Sequence, residues 1–487
     1  MEFIANAIET VNGWVWSPVL VVLCLAAGLY FSLGTRFVQV RRFGEMARLL
    51  FSTDKAQKTG ITSFQAFSMA LSGRVGTGNI VGVATAIGYG GPGAIVWMWI
   101  IAFLGAGSAF AEATLAQIFK ENHKGEYRGG PAYYIEKGLK AKWLGVIFAI
   151  CAVVACGMFL PPVQSNGIAI SFSNALSVNP AWVGLAVALL IGFVIIGGLK
   201  RIANVAQVMA PFMAIIYILL ALVILFIHIK EVPTVFGDMI RGALGMNELF
   251  GGILGSTIAW GVKRGIYSNE AGQGTAPIVA AAAKVSHPVK QGMVQAFSVY
   301  VDTLLVCTAT AVMILACKTY NVYDGQGGII VASQVAKLGE PDVSYTTAAI
   351  STLLGGKLAG IVVSTALFFF AFTTIMAYYY YAETNLVYLF GNGRRERFFI
   401  WVLRICLVLA VFYGSLNKAS LMWSLGDIGV GAMAWINIIA ILLLSRIPFK
   451  ALKSYEKQKK ADREPQFDPD ELDIKNADIW KNKSLNN

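Results

Sequence analysis

Two glycine-interrupted stretches and a handful of polar side chains stand out against an apolar background. The first stretch is Ser72-Gly73-Arg74-Val75-Gly76-Thr77-Gly78-Asn79-Ile80-Val81-Gly82. Glycine inside a helix costs about 1 kcal/mol relative to alanine, so such a cluster needs a reason. Its spacing is Gly-x-Gly-x-x-x-Gly and no strand pattern precedes it, which argues against a dinucleotide fingerprint or a phosphate loop. Two readings remain. Small residues can let helices pack closely. Alternatively the helix unwinds here: amides at the positive end of the following half-helix would hold a carboxylate, and freed carbonyls would coordinate a cation. The second stretch is Trp260-Gly261-Val262-Lys263-Arg264-Gly265, followed by Ser268-Asn269-Glu270-Ala271-Gly272-Gln273-Gly274-Thr275-Ala276-Pro277. It is either a loop dividing a shorter span or a span broken near Gly261 or near Gly272.

The polar groups at membrane depth complete the chemistry. Asp302, in Val299-Tyr300-Val301-Asp302-Thr303, is a lone carboxylate in an apolar run. Such groups usually face a partner or an ion path. With Asn79 it is the candidate for a second cation-linked site. Gln164 and Asn166 follow Pro161-Pro162, which should kink their helix and expose carbonyls. Thr373 and Thr374 could offer hydroxyls to a cation or bond their own helix. Tyr378 opens the run to Tyr381, which suits a pocket wall, an interfacial belt or plain packing. Glu112 and Glu383 lie toward helix ends, where pairing with Arg or Lys is expected. The candidate substrate-binding residues are Thr77, Gly78, Gln164, Asn166, Trp260, Gly261 and Tyr378.

Long helices must position these groups. The chain has 487 residues, 56% hydrophobic and 14% charged, against roughly a quarter charged in soluble proteins. Apolar runs of about 20 residues, each able to cross ~30 Å of hydrocarbon, recur throughout. Only helices can cross as separate runs, because open sheet edges would leave amides unpaired. The runs predict an all-α polytopic membrane protein with eleven spans near 18–33, 62–88, 92–119, 144–174, 181–198, 203–229, 248–282, 290–317, 352–389, 398–414 and 419–445. The second, seventh and ninth are long enough to be broken or extended.

Positive charge sets the orientation. With the N-terminus outside, 29 Lys and Arg fall in inside loops and the C-terminal tail, and 6 outside. The asymmetry accounts for the net charge of +12 without nucleic acid. After the first span come two groups of five. An odd number per group makes the second enter from the opposite side, the arithmetic of an inverted repeat. The expected units are 1–61, an extra N-terminal helix with a basic loop; 62–229, the first repeat; 230–246, an outer connector; 247–446, the second repeat; and 447–487, a polar inner tail, disordered from about Ala451. No cleaved leader is expected, since the first apolar run lacks a basic region before it. The six cysteines have no metal-like spacing and read as buried thiols. No covalent chemistry is encoded: there is no His-Glu-x-x-His, and the three histidines are scattered. Neither an enzyme nor an ATP-driven pump is indicated.

These residues resemble the alanine/glycine:cation symporter family, also called sodium:alanine symporters. The resemblance lies in Gly73–Ile80, in Gly129-Gly130-Pro131-Ala132-Tyr133-Tyr134-Ile135, in Lys263–Gly272 and in Phe370-Ala371-Phe372-Thr373-Thr374-Ile375. It covers nearly the whole chain. It implies the leucine-transporter fold, a five-plus-five inverted repeat with one extra helix in front. It further implies amides of Thr77 and Gly78 at the substrate carboxylate, and carbonyls of Ser72 and Val75 with hydroxyls of Thr373 and Thr374 at a sodium ion. The family's Gly-Trp pair after Thr-Thr-Ile is Ala377-Tyr378 here, which alters the pocket wall. The function implied is Na⁺-coupled import of a small neutral amino acid by alternating access, in a bacterial or archaeal plasma membrane. Alanine, glycine, serine and glutamine stay open as substrates, and H⁺ as an alternative ion. The partners are the amino acid, Na⁺ and the lipid bilayer, with no organic cofactor.

The orientation is testable. A cysteine at Lys460, in a background without native cysteines, should react only with a membrane-permeant thiol reagent in intact cells. Labelling by an impermeant reagent reverses the topology.

Overall fold

The computed structural model describes residues 2–52, 60–246, 251–324, 327–335, 337–391 and 393–481. Lys55, Lys58 and Lys483 of the charge count, and the start of the second repeat at 247, lie outside the described residues. Among the described residues, helices occupy each of the eleven predicted runs, and eight of the helices are long and apolar enough to cross a membrane. These eight are helical from end to end: Pro18–Gly34 (span 1), Gly93–Ile118 (span 3), Lys142–Leu176 (span 4, including one π turn), Gly198–Ile227 (span 6), Pro288–Ala316 (span 8, including another), Gly356–Phe390 (span 9), Arg394–Leu416 (span 10) and Ala419–Leu443 (span 11). Pro180–Ile195 (span 5) is shorter. Span 2 is split into Ser63–Arg74 and Val83–Gly90, and span 7 into Leu254–Asn269 and Ala276–Ala282. Span 9 runs unbroken, so its length reflects extension alone.

Local chemistry sets both breaks. Span 2 opens on a capping box: Gln65 N–H donates to Thr62 Oγ1 at 3.1 Å and Thr62 N–H to Gln65 Oε1 at 3.0 Å. It stops at Val75, whose backbone is extended (φ −81°, ψ 93°), and resumes as a π turn over Gly78–Gly82. Span 7 breaks at Glu270–Gly274, where Glu270, Gly272 and Gly274 have φ of 55°, 79° and 91°. That left-handed region suits glycine and strains other residues. The break is therefore near Gly272. Gly261, the other expected break point and a candidate substrate contact, is a packing residue instead. A side chain there would meet Ala94 O at 2.5 Å and Trp97 Cβ at 2.6 Å, so glycine lets span 7 lie against span 3. Two further π turns, Ala155–Phe159 and Val301–Cys307, interrupt spans 4 and 8. The π turn leads directly into Pro161-Pro162, which occupy the first turn of the helical segment Leu160–Leu176, where missing amides cost little.

Spans 3, 7 and 8 pack together, with span 1 against span 3; spans 4, 5, 9 and 10 form a second group. The first half of span 2 lies against spans 6 and 9, and its second half against span 7. Spans 6 and 10 turn large apolar side chains outward, including Phe212, Phe226, Ile405 and Leu409, as lipid-facing helices should.

Several elements outside the spans were not expected. At the end rich in Lys and Arg, the basic end, an antiparallel hairpin (Glu121–His123 with Glu126–Arg128) precedes a helix Pro131–Leu139. At the opposite end lie helices Glu2–Val15, Val232–Ala243 and Val343–Leu354. The tail is also not disordered from Ala451: helix Arg446–Lys460 is followed by a packed segment burying Phe467, Ile474, Ala477 and Trp480. A few apolar anchors among many charges suffice to dock it, and average composition hides them.

Gly261→Val should shift span 7 away from span 3. Overpacking of this kind costs about 1–3 kcal/mol, read as a lower thermal stability of the purified protein in detergent. An unchanged melting temperature would mean the interface is loose.

Candidate functional site

The extended backbone at Val75 frees carbonyls that a continuous helix would use. Thr374, in the middle of span 9, meets them. Its hydroxyl lies 2.8 Å from Ser72 O, 3.2 Å from Val75 O and 2.9 Å from its own Phe370 O. A threonine hydroxyl has one proton to donate. Three carbonyl oxygens therefore converge on the Thr374 hydroxyl, which can fully satisfy at most one, and Phe370 O alone has a second hydroxyl donor, Thr373. A set of neutral oxygens with lone pairs to spare suits a dehydrated monovalent cation. The Thr373 hydroxyl shares just one of these oxygens, donating to Phe370 O at 3.0 Å, while Ser72 O and Val75 O meet Thr374. Of the four expected Na⁺ ligands, Ser72, Val75 and Thr374 are brought together and Thr373 faces its own helix backbone.

Beside this junction lies the amide expected to meet a carboxylate. Thr77 N–H donates to Gln164 Oε1 at 3.0 Å. The amide oxygen of Gln164 thus occupies the Thr77 amide. Thr77 Oγ1 and Ser72 Oγ are buried without a hydrogen-bond partner, and Gln164 Nε2 and Tyr267 Oη have only each other to face. Unpaired polar atoms cost free energy, and such a group around one break describes a cradle for a polar ligand. Gly78 belongs to its wall: a side chain there would approach the Tyr267 ring at 3.2 Å. Tyr267 packs on Trp423 with ring centroids 4.9 Å apart.

Asp302 fastens the two breaks to span 8. It accepts from Asn79 Nδ2 at 2.7 Å, from Ser268 Oγ at 2.9 Å and from Thr303 Oγ1 at 2.8 Å. Asn79 in turn accepts from Gly76 N–H at 2.8 Å. The carboxylate therefore sets the orientation of Asn79, and Asn79 satisfies one of the amides freed by the break. Close by, Arg74 donates to Asn269 O at 2.6 Å and to Ser298 Oγ. The expected pairing of Glu383 is with Arg128, at 2.7 Å. Glu112 instead accepts from Asn437 Nδ2 at 2.8 Å and Gly272 N–H at 3.2 Å, stabilising the second break.

Other candidates lie elsewhere. Asn166 is committed to span 10: its amide donates to Gly414 O and Asn417 O, both at 2.8 Å, so it ties helices together although it also borders a small cleft beside Thr77. Trp260 lines a wide vestibule of about 710 Å³ at the end opposite the basic one, and stacks on Tyr89 at 4.9 Å. Tyr378 is buried one turn beyond Thr374, its ring 6.0 Å from that of Tyr381. At the vestibule floor Arg264 makes a paired contact with Asp427 (2.9 and 3.2 Å), and Lys263 reaches the same carboxylate at 2.7 Å. The Arg264 guanidinium also covers Trp423 at 4.5 Å. Tyr267, Ser268, Trp423 and Asp427 were missed by sequence reasoning. Ser268 and Tyr267 stand in the second glycine-rich stretch, and Asp427 carries the same signal as Asp302, a lone carboxylate in an apolar run.

The family model described as "Sodium:alanine symporter family" matches residues 1–469. The chain belongs to the sodium:alanine symporter family. It is a transporter and not an enzyme, and its coupling ion is Na⁺. The chain is 46% identical, over 89% of its length and 96% of the relative, to the sodium/proton-dependent alanine carrier protein of a Bacillus species. It is 37% identical to the sodium/alanine symporter AgcS of Methanococcus maripaludis, over 94% of this chain and 99% of that one. Among solved structures it superposes on a manganese transporter of Eremococcus coleocola with a TM-score of 0.53 and 11% identity, covering 89% and 95% of the two chains. At that identity the likeness shows the fold alone. The fold is the leucine-transporter type that the sequence motifs implied.

Thr374→Val keeps shape and deletes the shared hydroxyl. Hydrogen bonds and ligand contacts to charged groups are worth about 1.5–3 kcal/mol, so the Na⁺ concentration for half-maximal uptake should rise roughly tenfold or more. Thr373→Val should change it far less. Equal Na⁺ curves for both variants and the parent would remove Thr374 from the cation site. Asp302→Asn places an amide against Asn79 and disturbs the hold on Gly76. It should alter the Na⁺ dependence of uptake while leaving the order of substrate preference unchanged; parental Na⁺ and pH curves would make Asp302 a purely structural residue.

Proposed function

We propose that this symporter imports a small neutral amino acid of the alanine or glycine class, with Na⁺ bound at Ser72, Val75 and Thr374 and the substrate carboxylate at the amides of Thr77 and Gly78. The convergence of three carbonyls on the single Thr374 hydroxyl carries the reading. A bound Na⁺ would draw those oxygens together and fix the break, so ion and substrate sites favour each other reciprocally. The substrate carboxylate would displace Gln164 Oε1 from Thr77 N–H, leaving the Gln164 amide free to turn toward the ligand. Space supports a small side chain. Gly76 has no room for a Cβ, which would meet Thr374 Oγ1 at 2.6 Å and Gln164 Oε1 at 2.7 Å, and a Cβ on Gly167 would meet Thr77 Cγ2 at 2.7 Å. The names of the relatives, alanine carriers coupled to sodium or to sodium and protons, point the same way.

In this reading the basic end faces the cytoplasm, the N-terminus is outside, and the repeats 62–229 and 247–446 are inverted copies. The vestibule above Arg264 and Asp427 is the outer entrance. Serine and glutamine are the alternative substrates, and H⁺ an additional ion. The deciding measurement is uptake into proteoliposomes with imposed Na⁺ or H⁺ gradients and a panel of labelled amino acids. Na⁺-driven accumulation of alanine or glycine, competed by the other, is expected. Accumulation unaffected by Na⁺, or selective for large or charged amino acids, would overturn the assignment.

A further inference from the structure

The two broken spans meet again at the basic end. There Ile61 pairs with the chain leaving span 7: Ile61 N–H donates to Ala282 O at 3.1 Å, and Lys284 N–H to Ile61 O at 3.0 Å. Gln291 Nε2 adds a bond to Ser63 Oγ at 3.1 Å. These contacts join the start of span 2 to the link between spans 7 and 8, and so close the protein at that end.

The C-terminal segment lies across this seam. Helix Arg446–Lys460 buries Ala451, Leu452 and Tyr455, and Tyr455 donates to Glu45 Oε1 at 2.7 Å. Beyond the helix the chain grips the seam itself. Phe467 N–H donates to Ser286 O at 3.1 Å, Ser286 Oγ donates to Pro465 O at 2.8 Å, and Lys290 Nζ reaches Glu464 at 2.5 Å. His287 is enclosed between the rings of Tyr455 and Phe467, at 5.1 and 5.4 Å. Burial, with the nearby Lys290 charge, pushes its pKa down to about 3, so the enclosed ring is neutral. Farther along, Trp480 packs on Phe467 at 5.0 Å and donates from Nε1 to Gln117 O at 3.0 Å, and Asn476 donates to Lys137 O at 2.9 Å. The segment thus starts from span 11 and is pinned at the end of span 3, at the helix Pro131–Leu139 and at the link between spans 7 and 8.

We infer that residues 461–481 are a strap that latches the basic end of the transporter closed and must let go for that end to open. The inference rests on the alternating-access reading. Opening at this end requires the start of span 2 to part from the 282–291 segment. The strap holds that segment to span 3 and to the helix Arg446–Lys460, so its docking opposes the movement. A contact made only in the closed state shifts the equilibrium by its whole differential free energy. Removing it should populate the open state, whatever the affinity of the transport site.

The test uses a single reporter cysteine replacing the buried Ser68 in the first half of span 2, in an otherwise cysteine-free chain, in membrane vesicles exposing the basic end to a thiol reagent. Two strap variants are compared with the parent: Phe467→Ala with Trp480→Ala, and a chain ending at Lys460. The first keeps the backbone in case the truncated chain does not fold, and detergent melting together with alanine binding verifies folding. The strap variants should label roughly tenfold faster than the parent, with alanine plus Na⁺ still altering the rate. A folded point variant that labels at the parental rate overturns the latch. A parent whose labelling never responds to alanine and Na⁺ would instead sink the alternating-access reading, which keeps the two failures distinct.

Discussion

A membrane protein can interrupt a helix only where something else satisfies the freed backbone groups, because lipid offers no hydrogen bonds. In this transporter Asp302 anchors that compensation. Its carboxylate binds Asn79 of the first break, Ser268 just ahead of the second, and Thr303 of its own π turn. Asn79 then takes the Gly76 amide. Without this hub the Val75–Gly76 stretch would lose a partner for its N–H, and the carbonyls of Ser72 and Val75 would lose their common orientation toward Thr374.

The same logic explains why the second break is built from different parts. Gly272 and Gly274 permit the turn, while Glu112 and Asn437 satisfy it: Glu112 accepts from Gly272 N–H, and Asn437 donates to Gly272 O at 2.9 Å. Tyr134 completes the set by donating to Asn437 Oδ1. Buried ionisable groups are costly unless hydrogen-bonded, and at the two breaks Asp302 and Glu112 hold irregular backbone in place. The carbonyl cluster at Thr374 is different. It has more acceptors than donors, and that imbalance is where a cation gains affinity.

The two ends of the path are closed by different physical means. Above the site, Arg264 and Lys263 share the Asp427 carboxylate, with the guanidinium laid on Trp423. That closure is a few side chains thick and faces a wide vestibule. At the basic end the closure is several layers deep: backbone pairing between Ile61 and Ala282–Lys284, the hairpin Glu121–Arg128, and the docked strap above them. The structure is accordingly sealed toward the basic end and approachable from the opposite one.

Spans, their number and the presence of two breaks were legible in the sequence because hydrophobic run length and glycine clustering are local signals. The charge asymmetry and the Asp302 carboxylate were legible for the same reason. What the sequence left open was decided by neighbours distant in the chain. Whether span 7 breaks at Gly261 or Gly272 depends on span 3, whose Ala94 carbonyl fills the space beside Gly261. Thr373 and Thr374 are chemically identical and adjacent; only the approach of Ser72 and Val75 from another helix separates the shared hydroxyl from the one that bonds its own backbone. Asn166 read as a pocket residue until span 10 supplied two carbonyls for its amide. The tail read as disordered because its few anchors, Phe467 and Trp480 among them, have value only against Ser286, His287 and Gln117. Length, polarity and backbone freedom are properties of a segment, so the sequence by itself determined the spans and narrowed their interruptions to two glycine-rich stretches. Which polar atom faces a ligand and which faces a helix is a property of pairs brought together by packing, and only the tertiary structure decided it.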